Sequence, residues 1–386
     1  MKKKICFYIN TFVVGGIEKV LIENLVNIDK TKFEIELLIG FKLDELEKMK
    51  EQIPKDIKID YIMKNNFFCQ NKKKKSLGVL KSYEKIIDES FSWLKKIIFL
   101  KKLKNKIKDK EVIVDFDMTL ASYIKYIPKK MITFCHFSPK NYNRGIKRRQ
   151  VKLGKRLNLY DKIIVISDDM KKEMIEIFPF LKNKVKRIYN SFNIDRIKKL
   201  SLQNINDKKI LEKYILAIGR LEETQKDFTS LIKAYSLIEK NIKEKLYIIG
   251  EGRHKDNLIK LCEELNIKDR VIFLGFKENP YPWLRETSLF IHSSKFEGLP
   301  TVMIEALILE KLIIATNCPT GPKEILDNGK NGILVEVGDI KELAISIEKL
   351  LKSNKKEYYI KNLKEKIKEF DSKIVIKQLE EIISKI

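Results

Sequence analysis

A chain of 386 residues, 44% hydrophobic and 34% charged, exceeds one comfortable core and is neither disordered nor fibrous, so two globular domains are expected. The formal net charge is +26, but residues 1–200 carry 47 Lys and Arg against 24 Asp and Glu, while the remainder carries 32 against 29. A uniformly lysine-rich composition would charge both halves alike, so the first half is expected to face a polyanionic surface. Five scattered cysteines, odd in number and without paired spacing, argue against a disulfide framework or a zinc site and fit a reducing compartment.

In chain order, Met1-Lys-Lys-Lys and the apolar run 5–14 imitate a secretory leader. Asn10 and Thr11 interrupt the run, and Gly15-Gly16 leads into an amphipathic stretch, so a buried strand followed by a glycine turn is expected instead. Short β-branched runs at 4–10, 33–39, 57–62, 112–116, 131–134, 162–166 and 185–188 read as strands. After a polar hinge near 195–207 the pattern resumes at 214–218, 246–249, 271–274, 289–291, 312–315 and 332–335. Helical periods fill the intervals, for instance 228–238, 255–265 and 340–352. Strands alternating with helices predict an α/β protein of two Rossmann-like, doubly wound domains facing across a cleft, with ligands at the carboxyl ends of the strands. The expected domains are 1–200, 208–365 and a terminal helix within 366–386 that packs back toward the first. No segment approaches the roughly 18 apolar residues of a membrane span.

The segment 64–110 stands apart, with fifteen lysines, four acids and interleaved aromatics. Lys72, Lys73, Lys74 and Lys75 read as an exposed loop. Residues 90–108 read as one helix with Leu94, Ile97, Ile98, Leu103 and Ile107 on one side and Lys95, Lys96, Lys101 and Lys102 among the rest. Such a helix, with Trp93, suits an anionic membrane surface. Nucleic acid would satisfy the charge equally, but no recognition-helix, RNP-like or zinc signature supports it, and none is expected as a partner.

The most informative stretch is Glu297-Gly-Leu-Pro-Thr-Val-Met-Ile-Glu305, between a strand and a helix. Two carboxylates about two helical turns apart can grip two ends of one ligand, and the backbone N–H groups of Gly298, Leu299, Pro300 (which has none of its own) and Thr301 lie where a phosphate is held. A sugar, a ribose and phosphates between them describe a nucleotide-sugar. Arg220 and Lys226 beyond Gly219 offer a fork and a point charge for two phosphates. Gly250 and Gly275-Phe276 close two further strand ends, and Gly16 and His136 follow strands in the first half.

Together, Gly15-Gly16-Ile-Glu18, Gly219-Arg220-Leu221 with Gln225-Lys226-Asp-Phe, Gly250-Glu-Gly252, Asn279-Pro-Tyr-Pro-Trp283, Ser293-Ser-Lys-Phe-Glu297-Gly-Leu-Pro with Glu305, and Gly321-Pro-Lys-Glu324 with Gly329-Lys-Asn-Gly332 resemble glycosyltransferase family 4. These are retaining enzymes of GT-B fold in lipopolysaccharide, capsule and glycolipid assembly. The resemblance covers the whole chain and is strongest over 215–339. It implies that Glu297 hydrogen-bonds the donor sugar, Glu305 the ribose, and Arg220 and Lys226 the diphosphate. It further implies that Gly298, Leu299, Pro300 and Thr301 support the leaving phosphate, that Gly275-Phe276 edges the base, and that His136 contacts the donor sugar near its reacting carbon. Asn190-Ser191-Phe192-Asn193 departs from the usual Asn-Gly-(Val/Ile)-Asp.

The expectation is a cytoplasmic, peripherally membrane-bound transferase moving a hexose or N-acetylhexosamine from a nucleotide donor, UDP-linked, to a lipid-linked saccharide. No metal and no cofactor beyond the nucleotide-sugar co-substrate are expected, and Asp115-Phe-Asp117, which matches the Asp-x-Asp metal motif of other sugar transferases, is discounted. Two other readings stay open: a non-enzymatic protein binding anionic lipid or nucleic acid, and a sugar-nucleotide epimerase of similar fold.

Overall fold

Each of the thirteen β-branched runs forms a strand, with ends within two residues of those expected. The computed structural model describes residues 1–140, 146–205, 213–353, 356–361 and 363–386. Strands β1 (Lys3–Ile9), β2 (Phe33–Phe41), β3 (Lys58–Met63), β4 (Val112–Asp115), β5 (Lys130–Cys135), β6 (Lys162–Val165) and β7 (Val185–Arg187) make one sheet in the order β3-β2-β1-β4-β5-β6-β7. Strands β8 (Tyr214–Ile218), β9 (Lys245–Ile249), β10 (Val271–Gly275), β11 (Leu289–His292), β12 (Ile313–Thr316) and β13 (Ile333–Val335) make a second, in the order β10-β9-β8-β11-β12-β13. Every recorded pairing is parallel. Strand order therefore reverses between β1 and β4 in one sheet and between β8 and β11 in the other, and at such a reversal the loops leave to opposite faces and open a crevice.

Sheets covered on both faces have strands buried along most of their length, which is why most of these runs are continuously apolar, with Glu34 and Glu36 of β2 and Asp60 of the edge strand β3 as exceptions. In the second sheet, Ile215, Leu246, Ile248, Leu289, Ile291 and Ile314 form one core with Phe228, Leu231 and Tyr235 of the helix Phe228–Ser236 and Ile347 of the helix Ile340–Lys352. Each such side chain contributes about 1.5–3 kcal/mol by leaving water.

The chain divides into two compact units, Met1–Ser191 with Ser372–Ile386, and Phe192–Asp371. The helix Ser372–Ser384 is part of the first unit. It packs along the helix Gly16–Asn27, and its Glu380 carboxylate accepts from Asp29 N at 2.7 Å, while Lys3 Nζ donates to Ile383 O at 2.9 Å. The expected polar hinge near 195–207 is in part a helix, Ile194–Ser201, because Asn193 caps it by accepting from Arg196 N (2.9 Å). That helix belongs to the second unit, and residues 206 and 207 of the hinge lie outside the described residues.

Two further expectations are corrected. Lys72–Lys75 is not a loop but lies in the helix Phe67–Ser76, which Asn66 starts by accepting from Cys69 N (2.9 Å). Lysine is a good helix former, and four in a row carry no apolar period by which a helix would be recognised. The helix expected over 90–108 is Ser92–Lys106, separated at Phe91 from a shorter helix, Ser82–Ser90, but its apolar side is not the expected one. Its buried face is Phe99, Leu103 and Ile107, with Leu94 and Ile98 half-buried, and Ile97 points to solvent at 56% exposure. Phe99 takes the inward position because aromatic partners wait there: it stacks on Phe41 and Tyr123 (centroids 5.8 and 4.9 Å) and meets Tyr8 edge-on.

Candidate functional site

In the second unit, three loops meet at the carboxyl ends of β8, β11 and β12, astride the reversal of strand order. The loop after β8 runs beside the extension of β11: Asp227 N donates to Ser293 O (3.1 Å), Lys295 N to Gln225 O (2.8 Å), and Lys226 pairs with Ser294 as an isolated antiparallel bridge. Thr316, at the end of β12, grips the same segment from the other side, accepting from Ser294 N (2.8 Å) and donating to Ser294 O (2.7 Å). Beyond it, Glu297 N donates to Pro319 O (3.3 Å), and Thr320 Oγ1 donates to Glu297 O. Glu297 is thus fixed by its backbone from two sides before its side chain makes any contact.

The Glu297 carboxylate is buried and receives four donors. Lys226 Nζ, Ser294 Oγ (2.7 Å) and His292 Nε2 (3.2 Å) converge on Oε1, and Gln225 Nε2 reaches Oε2 (3.3 Å). Burial alone would raise its pKa, but the Lys226 ammonium and the His292 hydrogen bond outweigh that and hold it well below the usual carboxylate range. Burial and the same ammonium push His292 down, so it is neutral. A carboxylate only accepts, so the His292 proton sits on Nε2. The site is an ionised carboxylate with one oxygen saturated and the other reached only by an amide, which suits hydrogen-bond acceptance and not proton donation.

Glu305 lies on the helix Thr301–Ile308, is 1% exposed, and accepts from Tyr281 Oη at 3.2 Å. Glu297 precedes that helix, so the two acids do not share it, and Pro300 stands at its N-cap and not within its first turn. The helix has no side-chain cap, and Met303 N donates to Pro300 O at 3.1 Å. Gly298, Leu299 and Pro300 are buried, with Thr301 half-buried beside them. They are packed closely from behind: a Cβ on Gly321, whose φ is +92°, would lie 2.6 Å from Pro300 Cδ and 2.9 Å from Gly298 O. Arg220 is exposed, its guanidinium 3.3 Å from Gln225 Oε1, and Phe276 is exposed beyond Gly275 (φ +69°).

The glycine the rim requires is Gly250 and not Gly219. Gly219 has no left-handed φ, and a Cβ there would make only ordinary contacts from 3.4 Å outward. Gly250 has φ +147°, and its Cβ would fall 1.9 Å from Gly219 O. We expect Gly250→Ala to cost at least about 2 kcal/mol and Gly219→Ala less than about 1, measured by urea unfolding; equal costs would contradict this account of the rim.

Gly16 and His136 lie in the first unit, at the carboxyl side of its sheet. Gly16 begins the helix Gly16–Asn27 after an extended Gly15. His136 Nε2 donates to Phe116 O (2.8 Å), and its ring stacks on Phe134, with centroids 5.7 Å apart. Burial lowers its pKa to about 4, so it is neutral with Nδ1 as an acceptor. Asp115 accepts from Tyr160 Oη (2.5 Å) and Leu120 N (3.0 Å), and Asp117 from Asn10 N (2.9 Å) and Thr119 Oγ1 (2.5 Å). Buried Asp115 and half-buried Asp117 are therefore braces between strand ends. Among the described residues no three His, Cys, Asp or Glu side chains gather as metal ligands, and all five cysteines are free and buried.

Of the lysines expected on an outer face, Lys72 is turned inward over the Phe41 ring (5.9 Å), where burial lowers its pKa. Lys73 pairs with Glu45, Lys74 with Glu84 and Lys95 with Asp88, while Lys75, Lys96, Lys101 and Lys102 are exposed. Among the described residues no helix is long and apolar enough to cross a membrane.

The family model described as Glycosyl transferases group 1 matches residues 199–367, which contain every loop of the Glu297 site. These residues belong to the group 1 glycosyl transferases. Over 387 aligned residues the chain is 26% identical to a Campylobacter jejuni N-acetylgalactosamine-N,N'-diacetylbacillosaminyl-diphospho-undecaprenol 4-alpha-N-acetylgalactosaminyltransferase, covering 96% of each. Over 140 residues it is 31% identical to the lipopolysaccharide core biosynthesis glycosyltransferase LpsE of Rhizobium meliloti, covering 36% of this chain and 40% of that one. The crystal structure of Anabaena HepE in complex with UDP and glucose superposes with a TM-score of 0.76 at 18% identity over all of both chains. Staphylococcus aureus TarM gives 0.74 at 15% over 98% of each. The two parallel sheets, in their order, are those of the GT-B fold.

Sequence reasoning named Glu297, Lys226, Arg220 and Glu305 but missed His292 and gave no role to Ser294 or Gln225. His292 is one of three histidines and closes a wholly buried strand, a place where an imidazole needs a polar partner.

Proposed function

We propose that the chain is a glycosyltransferase that moves a hexose or N-acetylhexosamine from a UDP-linked donor to a lipid-linked saccharide of a cell-surface polysaccharide, with retention at the anomeric carbon. The observation that carries the reading is the Glu297 carboxylate, kept ionised by Lys226 and open only at Oε2, beside an uncapped helix start. The donor sugar's hydroxyls donate to Oε2, and Glu305 accepts from the ribose. Arg220 and the first-turn amides near Gly298, Leu299 and Thr301 take the diphosphate, with the Lys226 charge behind them. Gly275 and Phe276 border the base, beyond Gly219 and Gly250.

As the bond from the anomeric carbon to the phosphate oxygen breaks, negative charge grows where these donors already point, and no reorganisation is needed to meet it. The acceptor hydroxyl attacks on the same face, and its proton passes to the departing phosphate oxygen. Glu297, held so low, is not the base. Within the first unit, neutral His136 offers Nδ1 as a hydrogen-bond acceptor to a sugar hydroxyl, and Gly16 borders the acceptor. Donor similarity rests on the UDP-bound structure of the same fold, and acceptor class on the diphospho-undecaprenol substrate in the Campylobacter enzyme's name. The exposed lysines 75, 96, 101 and 102 draw the protein to an anionic membrane face, where such an acceptor resides.

The test is a thermal-shift comparison of UDP, GDP and ADP with and without EDTA, since a ligand of the native state raises the midpoint by mass action. UDP should shift the midpoint, EDTA should not remove the shift, and Arg220→Ala should weaken UDP binding about tenfold or more. No shift with any nucleotide would sink the reading.

A further inference from the structure

Among the described residues, nine of the 24 exposed large apolar side chains fall within residues 67–97 of the first unit. The helix Ser82–Ser90 has one buried residue, Glu84, which caps it by accepting from Lys81 N (3.0 Å) and pairs with Lys74. Its apolar side chains Tyr83, Ile86 and Ile87 share one face at helical spacing and are 57, 64 and 40% exposed. Phe91 at the turn and Trp93 at the start of the next helix are also exposed, at 47 and 62%. Only the later part of that second helix docks on the sheet, through Phe99 and Leu103. A monomer does not keep such an apolar ridge in water without an occupant. Charge names the occupant, because Lys75, Lys81, Lys85 and Lys96 are exposed around the ridge.

We propose that residues 77–97 form a wedge whose apolar crest, Tyr83, Ile86, Ile87, Phe91 and Trp93, inserts into the acyl boundary of an anionic bilayer while the lysines meet the headgroups. This rests on the membrane reading above and deepens it: the apolar contact is not the Leu94-to-Ile107 stripe, most of which packs inward, but the opposite side and the helix before it. Charge attraction alone is screened over a few ångströms at high salt, whereas acyl insertion is not.

Trp93 makes the proposal measurable, since the only other tryptophan, Trp283, is 5% exposed in the second unit. With vesicles of phosphatidylglycerol and phosphatidylethanolamine carrying brominated chains, Trp93 emission should shift to the blue and be quenched. Part of the quenching should survive about 0.5 M salt, and Trp93→Phe should abolish it. Ile86→Ser with Ile87→Ser should weaken vesicle binding about tenfold or more, leaving the UDP thermal shift unchanged. Binding that salt removes completely without quenching overturns the wedge, as does a stable dimer in solution that the serine variant dissolves. Loss of the nucleotide shift in the wild type would instead strike the donor reading and leave the vesicle result standing.

Discussion

Lys226→Met should destabilise the second unit by about 3–5 kcal/mol, because it strands a buried carboxylate that, among the described residues, no other Lys or Arg reaches. Lys226 and Glu297 are 9 and 7% exposed, and His292, the other charged-capable neighbour, is neutral. The double variant Lys226→Met with Glu297→Gln should recover most of the loss, since no buried charge remains. The pH dependence separates this from simple loss of packing. In the wild type the Glu297 pKa lies below its unfolded value of about 4.3, so its contribution is present above that value and is lost as pH falls through the folded one. In Lys226→Met, burial without a cation places the folded pKa above the unfolded one. The gap between variant and wild type then widens steadily as pH rises from acid toward 8 and narrows as pH falls. Urea unfolding followed at Trp283, in a Trp93→Phe background, reads the second unit. A loss under about 1 kcal/mol with wild-type pH slope would refute the pairing.

Glu297→Gln should lower kcat by at least about a hundredfold while leaving UDP affinity within a few fold. The glutamine preserves volume and still accepts at one atom, but it removes the negative charge to which Lys226, Ser294 and His292 all donate. If Glu297 serves the sugar, the wild type's preference for UDP-sugar over UDP should vanish in the variant. Because Glu297 is held low and His292 below its usual value of about 6.5, transfer in the wild type should show no loss from either group between about pH 6.5 and 8. A kcat within threefold of wild type would remove Glu297 from the chemistry. Equal losses of UDP and UDP-sugar binding would make it a structural anchor only.

The strands were legible because a parallel sheet buried on both faces demands continuous β-branched runs, and nothing else in this chain looks like them. The site was legible where residue type and chemistry coincide: Glu297, Glu305, Arg220 and Lys226 sit at strand ends with turning residues beside them. What did not show is what depends on long-range partners. Lys226 and Glu297 are 71 positions apart, and only the antiparallel run of one loop against another brings the ammonium to the carboxylate. Ile97 and Phe99 both fit a helical apolar stripe, and the choice between them is made by Phe41 and Tyr123 on other elements. The helix Phe67–Ser76 carried one local sign, Asn66 at its N-cap, which the lysine run beyond it obscured.

The first unit takes in residues 372–386 across the whole length of the second. A ribosome that has reached residue 371 has made every residue of the second unit, while the first still lacks the helix that covers Gly16–Asn27 and ties down Lys3 and Asp29. Domains of a growing chain ordinarily finish in the order they emerge. In this one the order is inverted: the second unit can be complete while the amino-terminal one is still waiting for its closing piece.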